Sequence, residues 1–157
     1  MMRSSLPKEV PMLLYEDTPQ YDFWLKALLI GIIAFTLIGG LILLPEDPTD
    51  ALIMLGAVVF YALLFKAILP QRFQVFQDRV KIVLGGPFAI TFYLSNIREV
   101  RPVSGSKALF YGGVRFATST RGVVEIVPKK GLSVVFSPAH PDMFLEHLNR
   151  AMTQYPA

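Results

Sequence analysis

The sequence predicts a membrane-anchored α+β protein, a two-helix transmembrane hairpin followed by seven short strands and one closing α-helix. Three observations carry this. Two long apolar runs flank six residues that hold two prolines and three acids, the pattern turns to period-two alternation after Pro70, and the last segment is amphipathic. Composition agrees: of 157 residues, 53% are hydrophobic and 17% charged, with a mean hydropathy of +0.48. Soluble proteins carry about 25% charged residues, so much of this apolar surface must meet something other than an ordinary core.

Residues 1–22 contain Pro7, Pro11 and Pro19 with scattered charges and no sustained period. They are expected to form a cytoplasmic tail with at most short structure. They do not read as a cleavable signal, because the apolar run begins late, is long, and leads into Pro45-Glu46-Asp47-Pro48.

The first run, residues 23–44, has Lys26 as its only charge. As a helix it measures about 33 Å, enough for a hydrocarbon core of about 30 Å. The second, residues 51–69, has only Lys66, one turn from its end. Both lysines can snorkel to the interface. Neither run has the polar stripe of a soluble helix, which argues against a hairpin buried in a soluble core. Two small-residue pairs at four-residue spacing, Ala27 with Gly31 and Thr36 with Gly40, permit close helix approach, most simply within the hairpin itself.

Loop charges set the orientation. The connector Pro45–Asp50 lacks Lys and Arg, whereas Lys26, Lys66, Arg72, Arg79 and Lys81 lie on the other side. The positive-inside rule then places both termini in the cytoplasm of a multi-pass, two-span protein of the cell membrane. Tyr15, Tyr21 and Trp24 fall near the inner interface, although packing of Trp24 on the second helix fits equally well.

Beyond Pro70, in the β domain at residues 70–157, Phe88 to Leu94 alternates as a half-buried strand does. Similar runs occupy residues 72–77, 79–84, 97–103, 114–120, 123–128 and 132–137. Their separators are Gln77-Asp78, Gly85-Gly86-Pro87, Ser95-Asn96, Arg121-Gly122 and Lys130-Gly131. Pro141 and Asp142 suit a helix start, and Phe144, Leu145, Leu148 and Met152 then recur at helical spacing opposite Glu146, Asn149 and Arg150. Residues 71–153 are expected to fold apart from the helices.

Three stretches resemble bacterial pleckstrin-homology-like (PH-like) domains. Phe88 to Val100 resembles their strand followed by a Ser/Asn-Ile-x-x-Val step; Lys130 to Pro138 and then His140 to Leu145 resemble their closing strand, Ser-Pro step and helix with a Phe. A transmembrane pair ahead of such a domain is a common layout in that family. The resemblance covers roughly residues 50–152 and implies a PH-like seven-stranded bent β-sheet or barrel capped by a C-terminal α-helix, with Phe144 in its mouth. Its motifs signal packing and turns, not chemistry. One departure matters, because phosphoinositide-binding PH domains use a long basic first hairpin loop, and Gln77-Asp78 is too short for that. Arg72, Arg79 and Lys81 are therefore read as membrane-proximal basic residues, facing solvent or anionic headgroups.

The chemistry-bearing residues are sparse. The chain has no cysteine and two histidines, which removes thiol chemistry and starves a zinc site of ligands. His140 and His147 read as a helix-cap residue and a surface residue. Gly85-Gly86-Pro87 and Gly112-Gly113 lack nucleotide-binding spacing, and Asp78, Glu99 and Glu125 have no acidic partner nearby in sequence. The expectation is a protein that is not an enzyme, with no cofactor and no metal.

Residues 70–157 carry eleven Lys/Arg against five Asp/Glu, and residues 1–22 carry two against four. The positive charge is spread over several strands without a nucleic-acid motif, so no nucleic acid is expected and anionic lipid is the nearer partner. The expected function is a membrane-anchored binding or scaffold module whose cytoplasmic domain recruits or organises a protein partner, self-association as a homo-oligomer included, or contacts the inner leaflet. The alternative is an accessory or regulatory subunit that contacts a membrane enzyme or transporter through its helices. The candidate interaction surface is Lys107, Leu109, Phe110 and Tyr111, between Ser104 and Gly113. Loops on a rigid sheet often bind, and sealing of the core by Leu109 and Phe110 stays equally open.

Overall fold

The computed structural model describes residues 11–104 and 113–154. Two 21-residue helices, α1 (Phe23–Leu43) and α2 (Pro48–Ile68), pack on each other as a hairpin. Each is about 31 Å long; both are long and apolar enough to cross a membrane. Only Gly40 in α1 and Ala51 in α2 are buried.

The second helix begins earlier than the sequence reading placed it. Asp47 caps it by accepting the amides of Thr49 and Asp50 at 2.9 and 3.1 Å, with Pro48 in the first turn. Asp47, Asp50 and the second proline of the supposed loop thus form a helix start. The connector shrinks to residues 44–47. At the other end, Leu69 is extended, as a residue before proline must be, and α2 runs almost directly into the sheet.

Residues of the supposed tail form strand β1 (Leu13–Asp17), antiparallel to β2 (Pro70–Phe76). The helical hairpin is therefore inserted between two neighbouring strands of one sheet. A bulge between Leu13 and Tyr15 breaks the two-residue period of β1, which is why alternation did not reveal it. Residues 71–153 by themselves lack this strand.

The first sheet continues through β3 (Arg79–Leu84) and β4 (Ala89–Tyr93) in the order β1-β2-β3-β4. A 3-10 turn, Leu94–Asn96, leads to β5 (Ile97–Val103), followed by β6 (Val114–Phe116), β7 (Val123–Pro128) and β8 (Val134–Phe136). These form a second sheet ordered β5-β7-β8-β6, with β6 parallel to β8. The described residues thus hold eight strands in two four-stranded sheets, where seven strands in one bent sheet or barrel were expected.

Between the sheets lies the main core. Phe73, Val75, Val80 and Ile82 come from the first sheet, Val124, Ile126, Val134 and Phe136 from the second, and Phe144, Leu148 and Ala151 from helix α3 (Pro141–Gln154). Phe144 is fully buried and meets the rings of Phe136 and Phe73 edge-on at 5.3 and 6.4 Å, with Tyr15 at 6.2 Å. It closes the space between the sheets, as expected of the helix with a Phe.

Candidate membrane-docking junction

The chain crosses from β1 to α1 through residues 17–22, and polar side chains pin this strap at both ends. Asp17, 5% exposed, accepts the His140 amide at 2.8 Å, lies 3.2 Å from His140 Nδ1, and accepts the Thr18 amide. Asp22, at the start of α1, accepts the Ser119 hydroxyl at 2.7 Å and the Thr120 amide and hydroxyl at 2.8 and 2.9 Å. The bond from Ser119, followed by those from Thr120 and Trp24, holds the Asp22 carboxyl below its ordinary range against the opposing effect of burial. Between these anchors the Gln20 amide donates to Ser137 O, the Asp22 amide to Thr118 O, and the Thr118 hydroxyl to Gln20 O.

This network also explains why β6 is shorter than the run 114–120. Thr118 and Ser119 give their amides to the buried Ser137 hydroxyl, both at 3.0 Å, instead of to a neighbouring strand. Ser137 belongs to the Ser-Pro step. The step ends β8 and also supplies an acceptor for the segment next to the start of α1. Every buried side-chain nitrogen and oxygen among the described residues is hydrogen-bonded.

At the other helix end, Tyr21 donates its hydroxyl to Pro70 O at 2.6 Å, tying the entry of α1 to the exit of α2. Burial raises this phenol above its ordinary pKa. The β3–β4 turn docks on the same place: Gly85 donates its amide to Leu69 O at 3.0 Å, and a Cβ on Gly85 would collide with the Lys66 carbonyl. Gly86 lies over Ala67. The Gly-Gly-Pro turn therefore permits close backbone approach between the domain and the helix end. On the second sheet, Gly122 has φ +62° and sits against Pro141, bringing the start of α3 to this same end of the domain.

The sequence-predicted residues fall in different places. Lys107, Leu109, Phe110 and Tyr111 lie outside the described residues. Arg72 leaves the junction early on β2 and pairs with Glu16 at 3.5 Å. Lys81 sits opposite Gln74 and Thr91 mid-sheet. Arg79 forms a two-bond pair with Asp78 and lies over the Tyr93 ring. It occupies the end of β3 remote from Gly85, about 17 Å along the strand from Leu84 at about 3.3 Å per residue. Arg72, Lys81 and Arg79 thus follow one another along the outward face of the first sheet, from the junction end to the remote end, and exposed pairs of this kind contribute little stability.

His140 stands immediately before α3 and its carbonyl accepts the Phe144 amide, the cap position foreseen. His147 stacks on Tyr15 at 4.5 Å and is half-buried; the sequence reading of a surface residue missed this because Tyr15 was placed in a tail. Among the described residues no group of three or more His, Asp or Glu is placed to hold a metal ion. The hydroxyls of Ser119 and Ser137 are engaged with Asp22 and with backbone amides, and neither is bonded to His140. Of the junction residues, sequence reasoning singled out Trp24, Tyr21 and the Gly-Gly-Pro turn; it passed over Asp17, Asp22, Ser119 and Thr120, which carry no motif. The one usable signal was the placement of Asp22 immediately before an apolar run, where a helix-start residue belongs.

No family model, no curated protein and no solved structure matches this chain.

Proposed function

We propose that this chain is a membrane-anchored, non-catalytic binding or scaffold module: α1 and α2 span the bilayer, both termini are cytoplasmic, and the β domain recruits or organises a protein partner at the inner leaflet. The observation that carries this reading is the contrast at the junction. Two helices with almost wholly uncovered apolar side chains leave and re-enter one β domain through contacts too close and too numerous for a flexible tether. A domain held in this way presents fixed surfaces at a fixed height above the membrane, which suits assembly of partners. The antiparallel meander β1–β4, facing β5, β7 and β8 with α3 between, supports a PH-like reading of the domain, with β6 as an added edge strand.

Topology is tested through Thr49, because the chain has no cysteine of its own. Thr49→Cys should react with an impermeant thiol reagent applied outside intact cells. Labelling only after lysis would reverse the orientation.

A second reading, an accessory subunit that contacts a membrane enzyme or transporter through its helices, is favoured by one observation. The two small-residue pairs differ: Gly40 packs on Met54 and Leu55 within the hairpin, whereas a Cβ on Gly31 would meet nothing within 4 Å. The Ala27–Gly31 pair is thus open to another helix. Replacing residues 23–69 with a short Gly/Ser linker separates the readings, since a partner held by the β domain stays bound and one held by the helices is lost.

A further inference from the structure

At the junction, the start of α1 and the end of α2 leave a crevice of about 340 Å³, lined by Tyr21, Lys26, Leu29, Ile30, Leu69 and Gln71. Its walls are of two kinds. Leu29, Ile30 and Leu69 are its apolar lining residues, with Ile30 67% exposed although it lies about two turns inside the apolar helix. Lys26 and Gln71 are its polar lining residues, and the Tyr21 hydroxyl is already donated to Pro70 O. No acid lines the crevice. The side chain of Lys26 makes no ion pair or hydrogen bond among the described residues, and the nearest acid in sequence, Asp22, is taken by Ser119, Thr120 and Trp24. An unmatched cation thus stands at the polar rim of an apolar slot, at the depth where α1 enters the bilayer.

We propose that this crevice binds one anionic phospholipid of the adjoining leaflet, its phosphate between the Lys26 ammonium and the Gln71 amide and the upper part of its chain against Leu29, Ile30 and Leu69. Charge complementarity selects an anion, and the apolar wall selects one that carries an acyl chain. A snorkelling lysine alone would find any phosphate at the interface; a slot with two walls takes one lipid and saturates. The site rests on the reading of α1 and α2 as membrane spans.

The test uses the full chain. Membranes are first extracted with alkaline carbonate; the protein is then purified in detergent and titrated with dioleoylphosphatidylglycerol or dioleoylphosphatidylcholine, and bound lipid is counted by native mass spectrometry. One phosphatidylglycerol should be retained saturably in preference to phosphatidylcholine. Lys26→Gln should weaken it about fivefold, the effect of one well-placed cation beside an anionic lipid. Arg79→Gln, at the remote end of the sheet, should leave it unchanged. Gln71→Ala gives the same reading if Lys26→Gln does not fold. Equal retention of the two lipids, wild-type binding in both pocket variants, or displacement by soluble glycerophosphate would overturn the site. Release of the protein by carbonate would overturn the spans and the site together, so the two failures are distinguishable.

Discussion

The helical hairpin and the β domain differ in what covers their apolar side chains. α1 and α2, at 21 residues each, bury only Gly40 and Ala51 against the rest of the chain, while β2 buries Pro70, Phe73 and Val75 within seven residues. A lipid-facing helix needs no side-chain pattern beyond length and hydropathy, because the bilayer accepts apolar groups on every face. A sheet with one buried face must alternate, and substitutions there are felt at once. Between the two regions lies a junction of tight backbone contacts and charged hydrogen bonds. Mutational effects should therefore be largest in the core, intermediate at the junction and smallest on the outward helix faces.

The core sets the upper end. Phe144 touches aromatic rings from both sheets and is fully buried. Phe144→Ala should cost about 3–5 kcal/mol, as large-to-small changes in a rigid core do. The check is thermal or denaturant melting of the full chain in detergent followed by near-ultraviolet circular dichroism, which reads the aromatic core. A loss below about 1 kcal/mol would mean that the gap between the sheets collapses freely, against the close packing usual in cores.

Gly85 comes next and tests whether hairpin and domain are fastened. Its Cβ position is occupied by the Lys66 carbonyl, which belongs to backbone and cannot swing aside as a side chain would. Gly85→Ala should cost about 1–3 kcal/mol, the range for overpacking. It should also make the β3–β4 turn more accessible to protease in membranes. Gly86→Ala is the control, since its nearest neighbours lie at ordinary contact distance. Equal behaviour of the two would show that the turn can lift off α2 without loss.

What the sequence made legible follows the same division. The helices and the run 79–84 could be read because hydropathy and alternation are local signals, as could the position of Phe144. β1 could not, because a bulge spoils its period and its partner Phe73 stands beyond the whole hairpin. The second sheet was partly legible: 123–128 is rich in β-branched residues, but pairing of β6 parallel to β8 leaves no local trace. The strap network was least legible, since Asp17 and Asp22 find His140, Ser119 and Thr120 about a hundred residues away. Long-range polar contacts of that kind are a property of the closed fold.

Asp22 predicts a pH dependence. Its folded pKa lies below the ordinary 3.8 because the hydroxyl of Ser119 and the groups of Thr120 bond its charged form. A depressed carboxylate contributes stability that is fully present above the unfolded pKa and is lost as pH falls through the folded one. Stability of the wild type should therefore decline below about pH 4, from the ordinary carboxylate range. Asp22→Asn should lose about 1.5–3 kcal/mol at neutral pH, the scale of hydrogen bonds to a charged group. It should also show a shallower acid decline, measured by melting between pH 7 and 3. An identical acid decline in the variant would place the responsible carboxylate elsewhere.

The smallest effects belong to the outward helix faces, and they separate a lipid-facing hairpin from one that meets another helix. A Cβ on Gly31 or Gly56 would meet nothing within 4 Å, whereas one on Gly39 would strike the Met54 side chain. Gly31→Ala and Gly56→Ala should thus leave melting in detergent unchanged or raise it by up to about 1 kcal/mol, the usual gain from removing a helix glycine. Larger residues sharpen the comparison. Gly31→Leu should also be tolerated by the protein alone, because a Cβ there meets nothing within 4 Å; but if a partner helix seats on the Ala27–Gly31 pair, the extra bulk would keep the backbones apart and abolish the complex. Co-purification of wild type and Gly31→Leu from native membranes, with equal melting temperatures as the control, reads this directly. Loss of a partner at unchanged stability would move the interaction surface from the β domain to the hairpin, and full retention would leave the outward face of α1 to lipid.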